Sequence, residues 1–198
     1  ALSFGAIAAT FLLLVFGIGF IYKGIKIKGI ILSAGNEAYS SLAQAKEEIL
    51  NKNFEKSEFE FDNARDNFSK ISKDIDGMGK FFVEISRFIP FVSKVSSGSY
   101  LAKVGQDISQ AGIVSGKILK TLSEIKNPLD QQQDAVSFLQ IFQDSAKNSQ
   151  ELLALLEDAD ENLSKVNIED IPQDKRSQFL TLKEELPGLC RFIKGFLD

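Results

Sequence analysis

A chain of 198 residues is long enough for one helical domain of ordinary size and too short to make two large ones. Its 23 basic and 27 acidic residues leave a net charge of −4 and an isoelectric point near 5.1, which argues against a nucleic-acid-binding face. The absence of His removes the commonest general base and metal ligand, and the single Cys190 permits no internal disulfide.

Every charged residue falls after Tyr22. Residues 1–22 (ALSFGAIAATFLLLVFGIGFIY) are uncharged, and at about 1.5 Å per residue they match the roughly 30 Å of bilayer hydrocarbon. No small-residue cleavage site follows them, so they read as an uncleaved transmembrane anchor with the lipid bilayer as partner. Residues 23–33 then form a juxtamembrane connector. Its Lys23, Lys26 and Lys28 precede the first acid, Glu37, and by charge bias favour a cytoplasmic body. The chain begins at Ala1 rather than Met and stops at Gly195-Phe196-Leu197-Asp198, which we read as processed or truncated.

Residues 34–198 read as a helical bundle. Segment 33–52 places Ala38, Leu42, Ala45 and Ile49 on one helical face, and Asn51-Lys52-Asn53 reads as a turn. Beyond it Phe54, Ser57, Phe61, Ala64, Phe68, Ile71, Ile75, Met78 and Phe82 alternate steps of three and four. Such a heptad seam requires a partner helix, so the two segments are expected to form an antiparallel hairpin. Pro90 interrupts the apolar patch FFVEISRFIPFV and should bend the chain.

A third helix, starting near Ser96, carries two seams. One is apolar: Leu101, Val104, Ile108, Ala111, Ile118, Leu122 and Ile125. The other is small: Gly98, Ala102, Gly105, Ser109, Gly112 and Gly116. Each interior Gly costs about 1 kcal/mol relative to Ala, so this row is the candidate helix–helix contact, where another backbone is expected to approach closely. The expected partner is the long amphipathic helix 129–166, which follows Asn127-Pro128 and steps through Ala135, Leu139, Phe142, Ala146, Ser149, Leu153, Leu156, Asp160 and Leu163. Residues 166–172 read as a linker. The last helix carries Phe179, Leu182, Leu186, Leu189, Phe192, Ile193 and Phe196, and Pro187-Gly188 should kink or split it.

Candidate chemistry is sparse. Carboxylate pairs such as Glu47-Glu48 and Glu184-Glu185 read as solvated surface. Gly112-Ile-Val-Ser-Gly116-Lys117 imitates a phosphate loop but is one residue short between its glycines, lacks Ser or Thr after Lys and follows no strand. Asp158, Asp160, Asn162, Ser164 and Glu169 imitate calcium-loop spacing, but Leu163 stands where the turn needs Gly. We therefore expect no catalytic, metal or cofactor residues.

Three stretches, AQAKEEILNKNFEKSEFEFDNARDNFSKI, RFIPFVSKVSSGSYLAKVGQDISQAG and LPGLCRFIKGFLD, together resemble the start of bacterial proteins that carry the domain of unknown function 4012. The likeness lies in Asn53-Phe54 with Ala64 and Phe68, in Ile89-Pro90 with Ser93, and in the spaced glycines. It implies an N-terminal fragment, no activity to carry over and a body outside the cytoplasmic membrane, and we follow it over the bias of Lys23, Lys26 and Lys28 because the N-terminus reads as incomplete. The Asn-rich, Gly-rich motif that opens the family's second domain is absent from these 198 residues. The resulting expectation is an all-α, non-catalytic stalk or interaction module at the bacterial cell surface, with a protein partner or a homo-oligomer. Alternatives are a sensory ectodomain and a filament subunit packed through its apolar N-terminal helix.

Overall fold

The structure, a computed structural model, describes the backbone of residues 33–85, 92–123 and 135–197 and the side chains of residues 33–77, 96–123 and 139–197. The anchor 1–22, almost all of the connector, Pro90 and Asn127-Pro128 lie outside the described residues, as do the side chains of the patch at 81–92. Among the described residues the fold is all-helical: α1 over 33–50, α2 Phe54–Ile85, α3 Val92–Ser123, α4 Ala135–Ser164 and α5 Arg176–Leu197. No helix of these residues is long and apolar enough to cross a membrane.

The α1–α2 hairpin closes as the sequence suggests. Asn53 N–H donates to Glu48 C=O at 2.8 Å and Lys52 N–H to Ile49 C=O at 2.9 Å, the double bond of a Schellman turn. Lys52 sits at φ 60°, in the left-handed position that such turns usually give to Gly. The heptad row of α2 then meets α1 and α3 together. Phe61 packs with Ala45, Leu42, Ile49 and Ile113, while Phe68, Ile71 and Ile75 pack with Ala34 and Ala102.

The opposite face of α3 builds a second core. Val104 and Ala111, with Leu101 and Ile108 beside them, pack on Leu156, Ala159 and Leu163 of α4 and on Phe179, Leu186 and Ile193 of α5. Between α4 and α5 the chain makes two 3-10 turns, Ile168–Asp170 and Gln173–Lys175. A buried Ser97 hydroxyl at the start of α3 holds this linker: it donates to Asp170 Oδ2 at 2.7 Å and accepts from Asn167 N–H at 3.1 Å. Arg176 donates to Ile171 C=O at 3.0 Å and to Glu169 C=O at 3.3 Å from the other side.

Two expectations are corrected here. The third helix begins at Val92, a turn before Ser96. The last one is not split at Pro187-Gly188 and runs as one helix to Leu197. Proline removes one N–H from the ladder, and the burial of Leu186 and Ile193 on either side holds the remaining turns in place.

Candidate functional site

The small-residue row of α3 is the most specific feature that the sequence offers, and the structure places it against α2. Gly112 lies under the Phe61 ring, Gly105 under the Phe68 ring and Gly98 beside Ile75. As the number rises by seven along α2 it falls by seven along α3, so the helices are antiparallel and in one heptad register. Ala102 is buried between Ile71, Ile75 and Ala34, and Ser109 is fully buried with its hydroxyl donating to Gly105 C=O at 2.7 Å. Gly116 is buried, yet a β-carbon there would meet nothing within 4 Å.

This overturns the expected pairing with helix 129–166. The apolar seam of α3 already faces α4, so its small seam is left for α2. It also overturns the expectation of close backbone approach: what fills the space above Gly105 and Gly112 is aromatic side chain. A β-carbon at Gly105 would stand 2.5 Å from Cγ of Phe68, and one at Gly112 would stand 2.3 Å from Cε1 of Phe61. The glycines are sockets for rings. Polar pairs flank the seam: Arg65 Nη1 donates to Gln110 Oε1 at 2.7 Å, Lys117 lies 3.8 Å from Glu58 and Lys120 lies 3.3 Å from Glu55. These ion pairs are exposed and contribute little to stability.

On its other side α3 meets α4 through Asp107, whose Oδ2 accepts a 3.4 Å bond from Asn162 Nδ2. Burial raises the Asp107 pKa; the bond from Asn162 opposes that, and the nearby Asp158 carboxylate adds to it. Asp158, Asp160, Asn162 and Ser164, the calcium-like spacing, lie within the last two turns of α4 on alternating sides of the helix and do not wrap a loop. Among the described residues no three His, Cys, Asp or Glu side chains converge as metal ligands do. The Cys190 thiol has its pKa raised by burial and by the Asp160 and Glu157 carboxylates, which keeps it protonated and a poor nucleophile. A groove between Ser40 and Ser41 of α1 and Asn63 and Asn67 of α2 is open and polar. It has none of the enclosed apolar lining of a ligand pocket.

The chain matches no protein-family model, no curated protein and no solved structure.

Proposed function

We propose that the protein is a non-catalytic helical stalk or interaction module, anchored in the bacterial cell membrane through residues 1–22 with its body outside. The resemblance to the start of proteins carrying the domain of unknown function 4012 belongs to the same proposal and rests on Asn53-Phe54, Ile89-Pro90 and the spaced glycines. The observation that carries the stalk reading is the direction of the helices. Five helices in antiparallel succession are an odd number, so the described body is entered at one end and left at the other.

The offset comes from the packing levels. Cys190 feels the Glu157 and Asp160 carboxylates, Asn162 bonds to Asp107, and Gly112 sits under Phe61, so residues 190, 158, 111 and 61 share a level. Ala34 of α1 packs at the level of Ile71, ten residues along α2, and Leu197 lies seven residues beyond Cys190 in the opposite direction. At 1.5 Å per residue the entry and exit points of the body stand about 25 Å apart along the bundle. An even number of helices would bring both to the same end.

Deletion of residues 1–22 tests the anchor. The shortened chain should leave the membrane fraction and keep the helix content of residues 33–197, as read by circular dichroism. Retention in the membrane pellet after a carbonate wash would place the attachment elsewhere and sink the reading.

A further inference from the structure

The last helix is joined to the rest of the fold differently from its neighbours. Polar side chains bridge α2 and α3 through Arg65 with Gln110, Lys117 with Glu58 and Lys120 with Glu55, and α3 and α4 through Asp107 with Asn162. Among the described residues no hydrogen bond or ion pair runs from α5 to α1, α2, α3 or α4, and Arg176 reaches only Ile171 and Glu169 of the linker. What docks α5 is a single apolar stripe. Phe179, Leu186 and Ile193 are buried in one cluster with Leu156, Ala159 and Leu163 of α4, and the other residues of the helix are partly or fully exposed.

That helix has little stability of its own. Pro187 and Gly188 stand side by side in its middle, and these are the two poorest helix formers. Pro187 also removes one N–H from the ladder, so the turns around it depend on the burial of Leu186 and Ile193. Away from α4 the segment would lose its helix, because most helical stability in proteins comes from packing of the apolar face. Undocking and unfolding of α5 are therefore one event.

The polar fastening lies in the linker instead. The Ser97 hydroxyl, 3% exposed at the start of α3, bonds both Asp170 and the Asn167 N–H, while Asn167 Oδ1 accepts from Glu169 N–H and Arg176 closes the far side on Ile171 C=O. We propose that residues 167–197 are a releasable strap: the linker unlatches from Ser97 and α5 leaves α4 as a unit, while α1, α2, α3 and α4 stay folded. Opening bares the flank of Leu156, Ala159 and Leu163 that α5 covers, together with the strap's own Phe179, Leu186 and Ile193. The fold thus carries a switch between a hidden and an open apolar surface. The inference stands apart from the anchor and the stalk, which the deletion of residues 1–22 tests without it.

Native-state hydrogen exchange of the full chain in detergent micelles, read by mass spectrometry across sub-denaturing urea, tests this. Amides on both sides of Pro187 should exchange together, through an opening that depends less on urea than that of α2 and α3 because it exposes less surface. Two substitutions separate strap opening from global unfolding. Ile71→Val weakens the core around α2, which stays intact when only the strap opens, so it should speed exchange of α2 by about fivefold and leave α5 unchanged. Ser97→Ala removes the latch from the closed state and should speed exchange of residues 167–197 by about tenfold. Equal acceleration of α2 and α5 by Ile71→Val, or one urea dependence for both helices, would show that α5 opens only when the whole fold does and would overturn the proposal. So would an α5 whose exchange is indifferent to Ser97→Ala.

Discussion

Replacing Gly105 by Ala adds one methyl group to the helix at the centre of the fold, and the structure gives the effect a sign. The new β-carbon would stand 2.5 Å from Cγ and Cδ1 of Phe68 and 2.6 Å from Cδ2, where carbon atoms prefer about 3.5–4.0 Å. Because Cγ is the ring's point of attachment, spinning the ring does not relieve the overlap. Phe68 must change its χ1 or the two helices must part. Overpacking of this kind costs about 1–3 kcal/mol, offset by the roughly 1 kcal/mol that Ala gains over Gly inside a helix. The net expectation is a loss of up to about 2 kcal/mol. From sequence alone the same change would be neutral or stabilising, since only chain freedom would differ.

Gly116 provides the control, because a β-carbon there meets nothing within 4 Å and the helix-propensity gain of about 1 kcal/mol should appear undiminished. Two identical substitutions eleven residues apart on α3 should therefore move the urea midpoint in opposite directions at unchanged slope. Trimming Phe68 to Leu in the Gly105→Ala background should recover part of the loss, a non-additivity expected only of residues in contact. If Gly105→Ala raised the midpoint as Gly116→Ala does, the socket would not exist and the register of α2 on α3 would be wrong.

Lys52→Gly should raise stability by about 0.5–1 kcal/mol in the same assay, because Gly relieves the left-handed strain at φ 60° and gives back part of that gain in unfolded-chain freedom. Asp107→Asn should stabilise the chain at neutral pH and flatten its pH profile. The raised pKa means that the folded chain holds its proton more tightly than the unfolded one. Stability therefore falls as pH climbs from the unfolded carboxylate range through the folded value and stays low above it, whereas Asn keeps an acceptor for Asn162 and carries no charge.

The helices and the hairpin were legible because they depend on local chemistry. The three-and-four spacing from Phe54 to Ile75 requires a helix with one buried face, and Asn51-Lys52-Asn53 supplies a turn. The two seams of α3 were legible too, but not their assignment. Spacing tells which side chains share a face and says nothing of which helix lies opposite. The deciding quantity was volume: the Phe61 and Phe68 rings need depth that only Gly112 and Gly105 leave, whereas Leu156 and Leu163 of α4 pack on the fuller side with Val104. Pro187 does not split α5 for a related reason, since a rule about one missing hydrogen bond ignores the burial on either side of it. The exposure of Phe192 and Phe196 was hidden because both read as part of one apolar side with Phe179 and Ile193. Only the position of α4 separates the covered flank from the bare one.

The division of α3 into two faces also explains why it is less amphipathic than α2, α4 and α5. A helix at the edge of a bundle buries one stripe, while a central helix buries two and keeps little polar surface between them. Its small stripe is matched to rings and its apolar stripe to branched side chains, so turning α3 about its axis would put Val104 and Ile108 where Phe68 needs a socket. The alternation of Gly105, Ser109 and Gly112 with Val104, Ile108 and Ala111 thus fixes the rotation of the helix as well as its burial. The core shared by α1 and α2 and the core shared by α4 and α5 are joined mainly through α3. The orientation of the α1–α2 pair relative to the α4–α5 pair is therefore set by the rotation of this one helix. A substitution that turns α3, such as the overpacked Gly105, would re-aim one pair against the other.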